Sequence, residues 1–129
     1  DIVIIYPKYY MHYLLFDEFQ NIETKYFGAI RHLVQNTRAS VWCFYGVNPI
    51  TINPDNFDAN GWHFKPKVAE LVFAKVFGDT NKTVPADFGV KLTSQNIDAH
   101  LSKLRADRAK WRASHPVDVA EIDALKSKK

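Results

Sequence analysis

The sequence is poor in cysteine, in glycine and in long apolar runs. Its 129 residues include one cysteine, Cys43, and five glycines. A single cysteine cannot close an internal disulfide, so the fold does not depend on an oxidising compartment and we expect a cytoplasmic protein. No stretch approaches the roughly 20 apolar residues that a membrane-spanning helix needs. Residues 1–6 also lack the basic leader of a signal peptide. We therefore expect neither a transmembrane segment nor a membrane partner.

Aromatic residues are plentiful by contrast. The chain has nine Phe, six Tyr and three Trp, and 47% of its residues are hydrophobic. Each buried aromatic side chain stabilises a core by about 1.5–3 kcal/mol from its area alone. This content argues against intrinsic disorder, and the length suits one compact domain. The sequence predicts a single domain over residues 1–129.

Charge is divided unevenly between the two halves of the chain. Residues 1–64 carry four Lys or Arg against six Asp or Glu, and residues 65–129 carry thirteen against eight. The acidic, aromatic-rich half therefore has a net charge of −2, and the basic half has +5. A basic half favours an acidic partner, either nucleic acid or an acidic protein. Charge that only keeps the protein soluble is the alternative.

Short apolar segments predict two or three strands. Ile2–Tyr6 is β-branched and aromatic and stops at Pro7, and Ser40–Tyr45 has the composition of a central strand that buries Cys43. Ile50–Ile52 could add a short edge strand. The surrounding segment, residues 48–61, is rich in Asn, Asp and Pro and predicts exposed turns.

Helical spacing covers most of the remaining chain. Residues 8–36 repeat apolar side chains at three and four positions, including Phe19 and Ile22, which predicts one helix or two helices broken near Asn21. Pro66 and Gly78 bracket a second helix, with its apolar stripe at Val68–Val76. Two more helices are predicted, one from a cap at Thr93 or Ser94 to about Ala113 and a last one over Val117–Leu125. The expected class is a helix-dominated α+β domain.

The basic half contains one stretch, Pro85–Arg105, with a recognisable pattern. Gly89 allows two helices to cross closely, Leu92 packs beneath them, and a polar turn leads into the next helix. The stretch resembles the second and third helices of a helix-turn-helix, and its end resembles the recognition helix of winged response-regulator domains. The resemblance implies a trihelical unit over residues 66–113.

This resemblance also implies a set of DNA-contacting residues. Ser94, Gln95 and Asn96 would face the groove, where Gln and Asn can bond adenine edges. Basic side chains would neutralise phosphates. The full candidate nucleic-acid set is Lys91, Ser94, Gln95, Asn96, Lys103, Arg105, Arg108, Lys110 and Arg112. A plain helical packing unit would explain the same residues.

Arginine interrupts the apolar stripe of the long C-terminal helix. Arg108 falls in line with Leu101, Leu104 and Trp111, and an unpaired buried guanidinium would cost several kcal/mol. The helix therefore either projects beyond the core or pairs its arginines with acids. Phosphates or a partner's carboxylates would satisfy them, and so would Asp107 and Asp118 on the protein's own surface.

Aromatic density near the N-terminus suggests a second kind of site. So many tyrosines exceed what a small core can enclose with every hydroxyl satisfied, so some rings should lie at a surface. An aromatic patch and the arginine stripe could grip a protein, as in an immunity, inhibitor or assembly factor, or they could build a homodimer. The candidate partner-binding residues are Tyr9, Tyr10, Tyr13, Trp62 and Trp111.

Signals for catalysis or metal binding are weak. The five histidines lack paired metal-ligand spacing, and a Cys within an apolar strand is usually inert packing. Asn56–Gly61 copies half of a calcium loop, but Lys67 stands where a bidentate Glu is needed, so an Asx-rich turn is the better interpretation. No phosphate loop or nucleophile elbow occurs. We expect a non-enzymatic binding protein without cofactor or metal, binding nucleic acid first and protein second.

Overall fold

The chain folds into five α-helices around a three-stranded sheet. The structure is a computed structural model, and it describes residues 1–128 without the side chains of residues 16–20 and 22. The strands are β1 (Ile2–Ile5), β2 (Ser40–Cys43) and β3 (Val90–Leu92). The helices are α1 (Tyr10–Gln20), α2 (Ile22–Asn36), α3 (Pro66–Phe77), α4 (Ile97–Ser114) and α5 (Pro116–Ser127), and one 3₁₀ turn spans Pro54–Asn56. This is the helix-dominated α+β class that the sequence predicts.

The sheet joins the two halves of the chain. Its strand order is β1-β2-β3, with β1 parallel to β2 and β3 antiparallel to β2. β2 is thus the central strand, as predicted, and Cys43 is buried in it. Burial raises the pKa of the Cys43 thiol to about 12, so it stays a protonated packing group at neutral pH.

Helices cover both faces of the sheet. On one face, buried residues of β1, β2 and β3 pack with Phe27 of α2 and with Leu101 of α4. On the other face, Phe44 and Phe88 pack with Val68 and Val72 of α3. A third cluster joins α1, α4 and α5 beside the sheet. The protein therefore has three layers, with the sheet between α2 and α4 on one face and α3 on the other. Beside the sheet, α1 and α5 pack against α4.

The break near Asn21 is confirmed. Asn21 adopts a left-handed conformation with φ 51° between α1 and α2, which asparagine tolerates better than most residues. Gly78, with φ 69°, ends α3 as predicted. The stripe that the sequence assigns to Phe19 and Ile22 lies outside the described side chains.

Two local predictions are wrong. Residues 50–52 form a turn rather than a strand, because the side-chain Oδ1 of Asn48 accepts hydrogen bonds from the backbone N–H groups of Ile50 and Thr51, both at 3.0 Å. The stretch from Pro85 to Leu92 forms a turn followed by β3 instead of the middle helix of a helix-turn-helix. Gly89 has φ +94°, which no right-handed helix accommodates, and Val90 and Leu92 then pair with β2. The trihelical unit expected over residues 66–113 is not formed.

The remaining helices differ from prediction only at their ends. Thr93 and Asn96 exchange side-chain bonds with each other's backbone N–H, at 3.1 and 2.7 Å, and this reciprocal cap delays the start of α4 to Ile97. His115 separates α4 from α5, and Pro116 takes the first position of α5.

Candidate functional site

The arginines of α4 contact carboxylates of this same chain. Arg105 Nε bonds Glu23 Oε1 on α2, and Arg108 Nη1 lies 3.1 Å from Glu23 Oε2. The Glu23 side chain is only 12% exposed, so the carboxylate is held between two guanidinium groups. Arg112 contacts Asp123 of α5 at 3.3 Å. The interrupted apolar stripe is therefore resolved by internal pairing, through Glu23 and Asp123 rather than the acids the sequence suggested.

The predicted lysines fall at separate places. Lys103 pairs with Asp107 one helical turn away. Lys110 and Lys91 are exposed, the first on α4 and the second on the outer strand β3. All basic candidates except Lys91 thus lie on α4, where Lys103 and the three arginines are paired with acids of this chain.

The polar turn before α4 is partly used in capping. The side-chain Oδ1 of Asn96 accepts from the Thr93 backbone N–H, and its side-chain Nδ2 donates to the Lys91 backbone carbonyl oxygen at 2.9 Å. Both ends of the amide that would read adenine are therefore engaged. Ser94 and Gln95 remain exposed.

Most of the predicted aromatic patch lies in the core. Tyr10, Tyr13 and Trp111 are 3%, 5% and 7% exposed and pack with Leu14 and Ile122. They hold α1, α4 and α5 together, so most of their surface packs inside the protein rather than facing a protein partner.

Tyr9 and Trp62 lie nearer the surface. Tyr9 is half-buried beside Phe57, whereas Trp62 is 38% exposed, with the Lys8 ammonium 4.8 Å from its ring centroid. Tyr9 also lines a recess of about 160 Å³ together with Tyr10 and Trp111, so three of the five partner-binding candidates meet at one place.

An exposed phenylalanine pair on α3 was missed in the sequence. Phe73 and Phe77 are 44% and 68% exposed and stack on each other, with ring centroids 6.3 Å apart. They lie across the helix from Val68 and Val72, which are fully buried. The signal was the four-residue spacing of two large aromatics outside the predicted stripe.

Charged groups border this pair. Glu70 precedes Phe73 by three residues and Phe77 by seven, so the three side chains share one face of α3. The Glu70 carboxylate accepts a bond from Lys82 Nζ at 2.8 Å. We call the surface made by Glu70, Phe73, Phe77 and Lys82 the α3 face.

A groove runs along another side of α4. Its main cavity has a volume of about 350 Å³, and an adjoining recess of about 210 Å³ shares Asp87, Lys103 and Asp107 with it. The cavity is lined by Val47, Ile52, Asp87, Lys103, Asp107, Lys110, Trp111, Ser114 and His115. The structure therefore brings three predicted residues, Lys103, Lys110 and Trp111, to one concave surface.

His100 lies in the recess of this groove. It is 8% exposed, and its Nε2 has no hydrogen-bond partner among the described residues. Burial lowers the pKa of the imidazole, and the nearby Lys103 ammonium lowers it further. His100 is therefore neutral at neutral pH, with one ring nitrogen unsatisfied.

Replacing Glu23 by glutamine tests the pairing of the arginines. The change removes the negative charge that Arg105 and Arg108 both contact, and Arg108 is only 28% exposed. We expect the free energy of unfolding to fall by about 1–3 kcal/mol in urea denaturation. Glu70→Gln, which removes a more exposed pair, should change stability much less. Equal effects of the two substitutions would contradict a structural role for Glu23.

Comparisons with known proteins add no family. Neither a protein-family model, nor a curated protein, nor a solved structure matches this chain. Within residues 1–128, every helix is too short or too polar to traverse a bilayer. Over the same residues, no three His, Cys, Asp or Glu side chains are grouped so as to hold a metal ion.

Proposed function

We propose that this protein is a non-enzymatic protein-interaction module that associates through the α3 face, with a second copy of itself as the partner. The observation that carries the proposal is the stacked, exposed pair of Phe73 and Phe77. Large aromatics left in water are unfavourable to a free monomer, and they are enriched in the centres of interfaces.

The surroundings of the pair favour a second copy as occupant. The α3 face carries one acid, Glu70, and one base, Lys82, beside its apolar centre. Because these two groups pair with each other, the α3 face has no net charge, and a second copy can approach it without like-charge repulsion, as an isologous interface requires. An apolar centre with a polar rim is the usual anatomy of such contacts. The small net charge of +3 opposes this pairing little.

Nucleic-acid binding is the second candidate. Lys91, Gln95 and Lys110 are exposed and could contact a nucleic acid. The arginines are less suited to the task, because phosphates would have to displace Glu23 and Asp123 from them. We therefore rank this function below self-association. Binding to a random duplex at about 0.15 M salt that weakens steeply as salt rises would reverse this ranking.

Sedimentation velocity from micromolar to millimolar protein tests the proposal. The wild-type protein should shift from monomer towards dimer as concentration rises, with an affinity at the weak end for specific interfaces because the apolar centre is small. Phe77→Ser should abolish the shift. Val117→Ser is the matched control, because Val117 is an apolar side chain 80% exposed on α5. Wild-type protein that remains monomeric throughout, or dimerisation that survives Phe77→Ser, would overturn the proposal.

A further inference from the structure

The groove beside α4 carries an arrangement of charges that self-association does not use. Asp87 and Lys110 line the 350 Å³ cavity, and neither has an ion-pair partner among the described residues. Lys103 and Asp107, the other charged side chains in the lining, pair with each other. The cavity thus offers one free carboxylate and one free ammonium.

An apolar wall completes the cavity. Val47, Ile52 and Trp111 line it together with Ser114 and His115. His115 stacks on the Trp111 ring with centroids 4.4 Å apart, which holds both rings in place. The volume lies at the lower end of the range for small-molecule sites, about 300–1,000 Å³. A ligand that fits these walls is small and carries both charges on an apolar body.

We propose that this groove binds a free α-amino acid with an apolar side chain. Its ammonium group would pair with Asp87, its carboxylate would pair with Lys110, and its side chain would pack against Val47 and Ile52. The lining carries two carboxylates and two ammonium groups and so has no net charge, which suits a zwitterion better than a simple anion.

His100 supplies an independent observation. It is buried in the adjoining recess, and its Nε2 lacks a partner. The recess shares Asp87 with the main cavity, so the neutral imidazole of His100 and the free carboxylate border one continuous groove.

Isothermal titration of the full chain with L-leucine and L-phenylalanine tests the proposal. At least one of them should bind saturably, whereas N-acetyl-L-leucine, which lacks the ammonium, and L-leucinamide, which lacks the carboxylate, should bind roughly tenfold more weakly or not at all. The same loss is expected for Asp87→Asn and for Lys110→Ala. Lys91→Ala, which removes an exposed lysine from β3, should bind as wild type does.

Several results would overturn the proposal. One is that neither amino acid binds saturably at millimolar concentration. Others are that the blocked analogues bind equally well, or that Asp87→Asn and Lys110→Ala both leave the affinity unchanged. Circular dichroism of each variant checks that it is folded. Asp87 and Lys110 are exposed, so substituting them should leave the fold intact. The Phe77→Ser variant should bind the amino acid with wild-type affinity. The amino-acid site and self-association through the α3 face are therefore tested independently.

Discussion

Replacing Trp111 by alanine is expected to lower the free energy of unfolding by about 3–5 kcal/mol. The side chain is 7% exposed, and its ring meets Tyr10 edge to face at 5.3 Å. It also packs in one cluster with Leu14 and Ile122. Removing it would leave a cavity where α1, α4 and α5 meet, and the surrounding helices can collapse into that space only partly.

Urea denaturation followed by circular dichroism measures this loss. Trp62→Ala is the control, because Trp62 is 38% exposed, with the Lys8 ammonium over its ring. The control should lose much less stability than Trp111→Ala. If the two variants lose the same amount, Trp111 does not have the core position described here, and its sequence-based assignment to a partner-binding patch would regain support.

Replacing Gly89 by alanine should destabilise the protein by about 2–5 kcal/mol. A Cβ at this position would lie 2.5 Å from Cε1 of Phe44 and 3.1 Å from Cγ of Lys75. Phe44 is fully buried beneath α3 and cannot move aside freely. The backbone there has φ +94°, which is itself strained for alanine.

Gly28→Ala provides a matched control on the same fold. Gly28 lies within α2, and a Cβ there meets no atom within 4 Å. Alanine should stabilise that helix by about 0.5–1 kcal/mol, so the two substitutions should have opposite signs in thermal or urea denaturation. A neutral Gly89→Ala would contradict the close packing of β3 against Phe44.

The sequence anticipated the elements whose signals are local. The apolar period of residues 8–36, the break at Asn21 and the composition of Ser40–Tyr45 are readable without tertiary information. β3 could not be predicted in this way, because three residues are too few to show a strand periodicity. The strand forms by pairing with Trp42 and its neighbours, which are distant in the sequence. Gly89 suits a helix crossing and a turn equally well in sequence, and only its contact with Phe44 decides between them.

The candidate surfaces were predicted in part. The sequence showed that Arg108 interrupts an apolar stripe and that internal pairing is one solution. It could not name Glu23, which lies 82 residues from Arg105. The aromatic patch was misplaced because Tyr and Trp occur in both cores and interfaces, and composition does not separate these environments. Phe73 and Phe77 were missed because they lie outside the apolar stripe that predicts the buried side of the same helix.

A charge exchange across the α3 face tests the proposed self-association most directly. Glu70→Lys would leave two positive charges on the α3 face and Lys82→Glu two negative charges, so the faces of either variant repel each other, and each variant alone should dimerise less than wild type in sedimentation velocity. An equimolar mixture of the two variants should recover dimer, because unlike charges then face each other. A mixture that associates no more than its separate components would contradict the account.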